Sequence, residues 1–178
     1  MSMKKDRPDS GMTLVELMVG LNIFFILCEG IYAFNYAFDK MRYEFQTNTK
    51  MTDRMKSVTE QIIWGARADS AVERRGVWTA NSVTLVSANQ ISYTDTSGIT
   101  HQIRQNGQNI EYKRGTAAWI KLYDPNGTLG DDVNQYSTNL TFSATALPTV
   151  IRIRLVLGQK IYGRWYYASL STNAAYRN

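Results

Sequence analysis

The chain has 178 residues, of which 44% are hydrophobic and 20% are charged, and its formal net charge is +5. These values are typical of a globular protein and exclude a wholly disordered chain, and the length allows one ordinary domain or a small domain with one extra element. One cysteine, Cys28, excludes an intramolecular disulfide and a zinc site built from cysteines, and one histidine, His101, leaves little for catalytic-triad or metal chemistry. The modest positive charge permits an anionic partner without requiring one.

The N-terminal part of the chain separates into a polar head and an apolar run. Residues 1–11 are polar and basic, whereas residues 12–38 are mostly apolar and contain no proline. As a helix, residues 12–38 span roughly 40 Å, which is enough to cross a hydrocarbon core of about 30 Å. Glu16 and Glu29 interrupt the run, and the uncharged stretch between them is short for a membrane span and typical of the core of a signal peptide.

Three ordinary interpretations of this run compete. A secretory signal peptide needs small residues at alternating positions near its end, and Cys28-Glu29-Gly30 fits poorly because of its central glutamate. A lipoprotein signal needs a small residue before the cysteine, but Leu27 precedes Cys28. A plain membrane anchor fits the length and leaves Glu16 unexplained, because a carboxylate in lipid is costly and usually functional.

The position of Glu16 suggests a fourth interpretation. Glu16 lies four residues after Met12, so a cut between Gly11 and Met12 would place the new α-amine and the Glu16 carboxylate one helical turn apart on the same face. A buried carboxylate needs an opposite charge, and this cut would create one at a suitable place.

Residues 11–19, GMTLVELMV, stand at the head of the long apolar stretch and resemble the class III signal of type IV pilins and type II secretion pseudopilins. The resemblance implies that residues 1–11 are a leader, that prepilin peptidase cuts between Gly11 and Met12, and that Met12 becomes N-methylated. Glu16 falls on the glutamate that neutralises the N-terminal amine of a neighbouring subunit during assembly in this family. Phenylalanine is more usual than Met12 at the first mature position.

The resemblance also implies a place in the cell and a set of partners. The chain would cross the bacterial inner membrane once, with its N-terminus cytoplasmic and its C-terminal domain periplasmic. Its partners would be prepilin peptidase, other pilin or pseudopilin subunits, the inner membrane and, for a secretion filament, secreted protein cargo. The charges on the two sides of the apolar run do not decide the orientation, because basic residues both precede and follow it.

After residue 38 the apolar residues recur at helical spacing, which predicts an amphipathic helix with one stripe packed on a domain. The stripe consists of Met51, Met55, Val58, Ile62 and Ala66. The predicted organisation is a leader at 1–11, a transmembrane and assembly helix at 12–38, an amphipathic continuation at 39–75 and an antiparallel β domain at 76–178.

From residue 77 the hydrophobic period changes to two, which predicts short antiparallel strands joined by Asp/Asn-Gly turns. Four strands form a meander, a fifth follows, residues 124–136 are a loop, and three more strands complete the chain. The predicted strands contain residues 83–86, 91–94, 101–104, 110–113, 119–123, 140–143 and 151–157, with the last one inside 162–171. A long helix whose C-terminal half packs on antiparallel sheet is an α+β fold.

A narrower resemblance covers the second half of the chain. Residues 133–136, 140–142 and 147–153 resemble the C-terminal region of J-type minor pseudopilins, in which a Leu-Pro step introduces a strand. The resemblance implies a minor subunit near the filament tip.

Chemistry-bearing residues are few. The sequence contains no catalytic or nucleotide-binding motif, so we expect a non-enzyme without a cofactor. His101 is expected to be a surface or half-buried strand residue, and Cys28 a small apolar residue of the helix. The loop oxygens of Asp124, Asn126, Asp131 and Asp132 are weak candidates for calcium, since the EF-hand spacing is absent and a plain surface loop is the alternative.

A basic and aromatic cluster near the C-terminus is a weak candidate for nucleic-acid binding, the alternative being an exposed strand face with aromatic packing behind it. Its members are Arg152, Arg154, Lys160 and Arg164, beside Trp165, Tyr166 and Tyr167.

The sequence therefore favours a minor pilin or pseudopilin. The alternatives are a DNA-uptake or adhesive minor pilin, the one case in which DNA is a partner, and a membrane-anchored extracytoplasmic binding domain that does not assemble.

Overall fold

The computed structural model describes residues 12–65, 75–125, 136–161 and 163–177. These residues form one long helix, a single 3₁₀ turn and eight strands, and the predicted α+β fold with a long N-terminal helix and antiparallel sheet is confirmed. The elements are α1 (Leu14–Trp64), the 3₁₀ turn (Val77–Thr79), β1 (Ala80–Ser87), β2 (Gln90–Asp95), β3 (Thr100–Asn106), β4 (Asn109–Arg114), β5 (Ile120–Tyr123), β6 (Tyr136–Ala144), β7 (Val150–Ile161) and β8 (Arg164–Ala175).

The chain divides into two compact units, Met1–Glu44 and Phe45–Asn178. In the described part of the first unit no side chain is buried, although most are apolar. The second unit contains the whole hydrophobic core and both sheets.

Within the second unit, helix α1 presents one buried stripe. Its buried residues recur every three or four positions, which is the spacing of a single helical face. They are Thr47, Met51, Met55, Val58, Thr59 and Ile62. The stripe joins a core with the inward residues of the strands, as the sequence period predicts.

Helix α1 ends at Trp64 because the next residue adopts a left-handed conformation. Gly65 has a φ of 103° and donates its N–H to the carbonyl of Gln61 at 3.0 Å. A Cβ on Gly65 would lie 2.5 Å from the backbone nitrogen of Arg75, so only glycine fits there. Residues 66–74, the end of the predicted continuation, lie outside the described residues.

The eight strands form two antiparallel sheets, a division that the sequence pattern did not predict. Strands β1 to β5 form a meander in chain order, and β6, β7 and β8 form a second sheet. The predicted turns after β2 and β3 contain Gly98 and Gly107, with φ values of 77° and 61°. These positive values explain why glycine stands at both turns.

A side chain joins the two sheets where β6 meets the first one. The amide nitrogen of Gln105, on β3, donates to the carbonyl of Thr138 at 2.7 Å, and its amide oxygen accepts the N–H of Leu140 at 2.7 Å. The backbone N–H of Phe142 donates to the carbonyl of Ala88, also at 2.7 Å. Gln105 therefore makes the hydrogen bonds that a neighbouring strand would make to the edge of β6.

Candidate functional site

The first turn of α1 is closed by two side chains. The Thr13 N–H and the Thr13 hydroxyl both donate to Oε2 of Glu16 at 2.9 Å, and the Glu16 N–H donates to the Thr13 hydroxyl oxygen at 3.2 Å. This reciprocal arrangement is a capping box, which satisfies N–H groups that have no partner within the helix. The Thr-x-x-Glu spacing of residues 13–16 is the sequence signal of this box, and the interpretations of the apolar run given above do not use it.

Beyond this turn, α1 carries a mostly apolar surface as far as Phe38. The large apolar side chains from Leu14 to Phe38 are all exposed, and the helix is long and apolar enough to cross a membrane. Cys28 is exposed on the same helix. A surface of this kind is stable only when lipid or protein covers it. Gly11 and the leader lie outside the described residues.

His101 is not the surface or half-buried residue that we expected, because it is fully buried at 1% exposure. Its ring stacks on Tyr93, with centroids 4.9 Å apart, and on Tyr112, with centroids 5.8 Å apart. Nε2 lies 3.1 Å from Oδ2 of Asp95, and Nδ1 lies 2.7 Å from the hydroxyl oxygen of Tyr112. The expectation failed because the β2–β3 hairpin brings Asp95 to the side of the sheet that carries His101, although the two residues are six positions apart in the chain.

Asp95 is the centre of this cluster. Its Oδ2 accepts from Arg75 at 2.8 Å, and its Oδ1 accepts the N–H groups of Ser97 and Ile99 at 2.8 and 3.0 Å. Burial alone raises the pKa of the Asp95 carboxyl, but the hydrogen bonds from Arg75, Ile99, His101 and Ser97 outweigh burial and hold that pKa well below its usual range.

Burial lowers the pKa of His101, and the charges of Arg114 and Arg75 act in the same direction, against the attraction of Asp95. A neutral imidazole satisfies every contact: Nε2–H donates to ionised Asp95, and Nδ1 accepts the Tyr112 hydroxyl. Asp95 and His101 are closed to solvent, so the cluster ties the sheet together and offers no surface to a substrate.

Of the calcium candidates, the structure describes only Asp124. Its Oδ2 accepts a hydrogen bond from Nζ of Lys121 at 2.7 Å. Asn126, Asp131 and Asp132 lie outside the described residues. Among the residues that are described, no group of three potential metal ligands occurs together.

The basic cluster near the C-terminus divides between two faces of the second sheet. Arg152, Arg154 and Lys160 alternate with the buried residues of β7 and point away from the core. Arg164 pairs with the buried Ile161, so it belongs by register to the other face, although it is exposed. Three of the four predicted residues therefore share one surface.

The aromatic residues of β8 divide in the same way. Trp165 pairs with Lys160 and Tyr167 pairs with Gly158, so both lie on the outward face, whereas Tyr166 packs against the core. The Trp165 and Tyr167 rings are nearly parallel, with centroids 5.9 Å apart. A Cβ on Gly158 would lie 2.6 Å from the Tyr167 ring, so that ring covers the glycine.

Comparison of the chain with family models, curated protein sequences and solved structures gives no significant match.

Proposed function

We propose that the chain is a minor pilin or pseudopilin subunit of a type II secretion or type IV pilus-like machine, processed between Gly11 and Met12 and assembled through its N-terminal helix. The observation that carries the proposal is the exposed apolar surface of residues 14–38 with a carboxylate, Glu16, in its first turn. A bilayer covers such a surface before assembly, and the helices of neighbouring subunits cover it afterwards. The proposal assigns no catalytic role and no cofactor.

In this function the N-terminus is cytoplasmic, and residues 45–178 form the extracytoplasmic domain presented at the filament tip. The partners are prepilin peptidase, other subunits of the filament, the inner membrane and, for a secretion machine, its protein cargo. Helix α1 supports this arrangement because one face of its C-terminal part is used by the core of the domain, whereas residues 14–38 have no buried side chain.

Glu16 is the residue that separates assembly from simple anchoring. A carboxylate costs on the order of 3 kcal/mol at the centre of a membrane helix and less near its edge. If Met12 lies at the cytoplasmic face, Glu16 is only about 6 Å deep along the helix. Thr13 supplies hydrogen bonds to this carboxylate but no positive charge. The α-amine of an incoming subunit would supply that charge.

Glu16→Gln and Glu16→Leu together test this role. Glutamine can keep the capping box and loses the charge, whereas leucine loses both. We expect both variants to insert and to be cleaved almost normally, and both to cross-link weakly to partner subunits. Glu16→Asp should be intermediate because its side chain is shorter. Wild-type cross-linking by Glu16→Gln, with loss only in Glu16→Leu, would reduce Glu16 to a helix cap.

Processing is measured by mass spectrometry of the same membranes. The wild type should begin at a methylated Met12, and a bulky residue in place of Gly11 should leave the leader attached. An intact Met1 on the wild-type chain, in a strain with active prepilin peptidase, would contradict the proposal and favour a membrane-anchored binding domain that does not assemble.

A further inference from the structure

The positive charge of this chain is not evenly distributed. Residues 136–178 contain five basic residues and neither Asp nor Glu. Because the net charge of the whole chain is +5, residues 1–135 hold equal numbers of acidic and basic residues. The entire excess of positive charge therefore belongs to the segment that forms the second sheet.

The register of this sheet places three of these charges in a line. Arg152, Arg154 and Lys160 occupy outward positions of β7, and their neighbours across the sheet are Asn173, Ser171 and Trp165 on β8. None of the three forms an ion pair within the described part of the chain. At about 3.4 Å per residue, the line from Arg152 to Lys160 is roughly 27 Å long.

Two aromatic rings lie beside the Lys160 end of this line. Trp165 is 40% exposed and Tyr167 is 61% exposed, although burial of such large aromatic side chains usually stabilises a fold. Tyr167 rests against Gly158 and is nearly parallel to the Trp165 ring. The remaining outward positions of β6 and β8 are polar or small, and on β7 the aliphatic Val156 lies on the same face between Arg154 and Gly158.

We propose that the outward face of β6–β8 binds single-stranded nucleic acid, with Trp165 and Tyr167 stacking on bases and with Arg152, Arg154 and Lys160 contacting phosphates. Aromatic rings on a sheet face beside a track of unpaired cations are the combination that sequence-tolerant single-strand binding requires. The length of the track fits a site near the short end of the range of about 4–16 nucleotides. An acidic protein would pair with the basic residues but would not stack on the two aromatic rings. Nucleic acid fits the surface better because it can make both kinds of contact.

The test is fluorescence anisotropy of a labelled oligothymidine strand of about 12 nucleotides, titrated with the full chain in a non-ionic detergent. Three phosphate contacts predict a slope of about −2 for the logarithm of the binding constant against the logarithm of the salt concentration. Replacing both Arg152 and Arg154 by glutamine should reduce the slope to about −0.7. The control removes two exposed charges of α1, Lys50→Gln with Lys56→Gln, and should leave the slope unchanged.

Stacking is tested separately from charge. Trp165→Ala should weaken binding roughly 5- to 150-fold, whereas Trp165→Phe should retain most of it. Because Tyr167 covers Gly158, its alanine variant can disturb the sheet, so Tyr167→Phe serves as the ring-preserving control and circular dichroism verifies each fold. Absence of binding at low salt would overturn the proposal. Equal competition by polyglutamate, or full binding by a folded Trp165→Ala variant, would also overturn it and indicate an acidic protein partner.

Discussion

The two ends of helix α1 use apolar side chains in opposite ways. From Leu14 to Phe38 the large apolar residues surround the helix and are all exposed, whereas between Thr47 and Ile62 they form one stripe that the core buries. A helix that is apolar on every side needs an apolar environment all round it, and an amphipathic helix needs only one packed face. The first segment therefore needs lipid or another protein to cover it, whereas residues 45–178 contain their own core.

Removing the exposed apolar segment of α1 should produce the largest effect, which is a change in the solubility of the protein. A fragment of residues 40–178 should be soluble, should fold without detergent and should show mixed helix and strand by circular dichroism, because the core residues lie in the retained part. The full chain should need detergent or lipid to stay in solution. An unfolded or aggregated fragment would show that the upstream helix is required for the fold of the domain.

Two carboxylates provide the next comparison. Asp95 is buried and accepts hydrogen bonds from Arg75, His101 and two backbone N–H groups, so Asp95→Ala removes a buried ion pair and leaves buried N–H donors without their acceptor. We expect a loss of about 3–5 kcal/mol in the free energy of unfolding. Glu16→Ala, in the exposed segment, should change this quantity by less than about 0.5 kcal/mol.

Urea titration in detergent measures both variants. All four tryptophans lie in residues 45–178, so their fluorescence reports on the domain alone. Equal midpoints for the Asp95→Ala variant and the wild type would mean that the buried cluster adds nothing to stability.

A third comparison uses one residue type on one helix. Ile62 is fully buried and Ile26 is 69% exposed. Ile62→Ala removes packed atoms from the core and should cost about 2–5 kcal/mol, whereas Ile26→Ala should leave the unfolding of the domain unchanged. Tryptophan fluorescence in urea again gives the difference. A similar loss in both variants would show that the exposed segment contributes to the stability of the domain.

Sequence reasoning located the elements because each one has its own hydrophobic period. The alternation of Ile151, Ile153 and Leu155 with arginines is a local pattern, and β7 lies where it predicted. The contacts between elements were harder to predict. The residues around Gln105 do not predict that its amide binds β6, because the partners Thr138 and Leu140 lie more than thirty positions away in the chain.

The same limit explains the results for the individual site residues. Glu16 could be singled out because its context is a contiguous motif. The same residues also carry the Thr-x-x-Glu spacing that predicts its hydrogen bonds to Thr13. His101 was misjudged because its environment is assembled by two hairpin pairings, with Tyr93 on one side and Tyr112 on the other. The basic residues were found as a cluster, but only the β7–β8 register assigns Arg164 to a different face from Lys160.

The weakest expected effect is that of pH on the free energy of unfolding. It arises from His101, which is buried in the domain of residues 45–178. Burial keeps the pKa of His101 below the value of 6.5 that it has when exposed, and Arg75 and Arg114 reinforce the shift against Asp95. As the pH falls below about 6.5, the unfolded chain therefore takes up a proton before the folded chain does, and the free energy of unfolding decreases. The decrease stops once the pH is below the folded pKa. Asp95 does not interfere, because its lowered pKa affects stability only below the ordinary range of aspartate.

The urea midpoint of the wild type should thus decrease as the pH is lowered from 7 to 5, and the midpoint of His101→Gln should decrease less over the same interval. The exposed segment contains no histidine, so it cannot produce this difference. Midpoints that rise as the pH is lowered, in the wild type and not in His101→Gln, would mean that the folded state holds a charged imidazole against Asp95. The neutral tautomer inferred from the Tyr112 contact would then be wrong, and Asp95 would outweigh burial in setting the charge of His101.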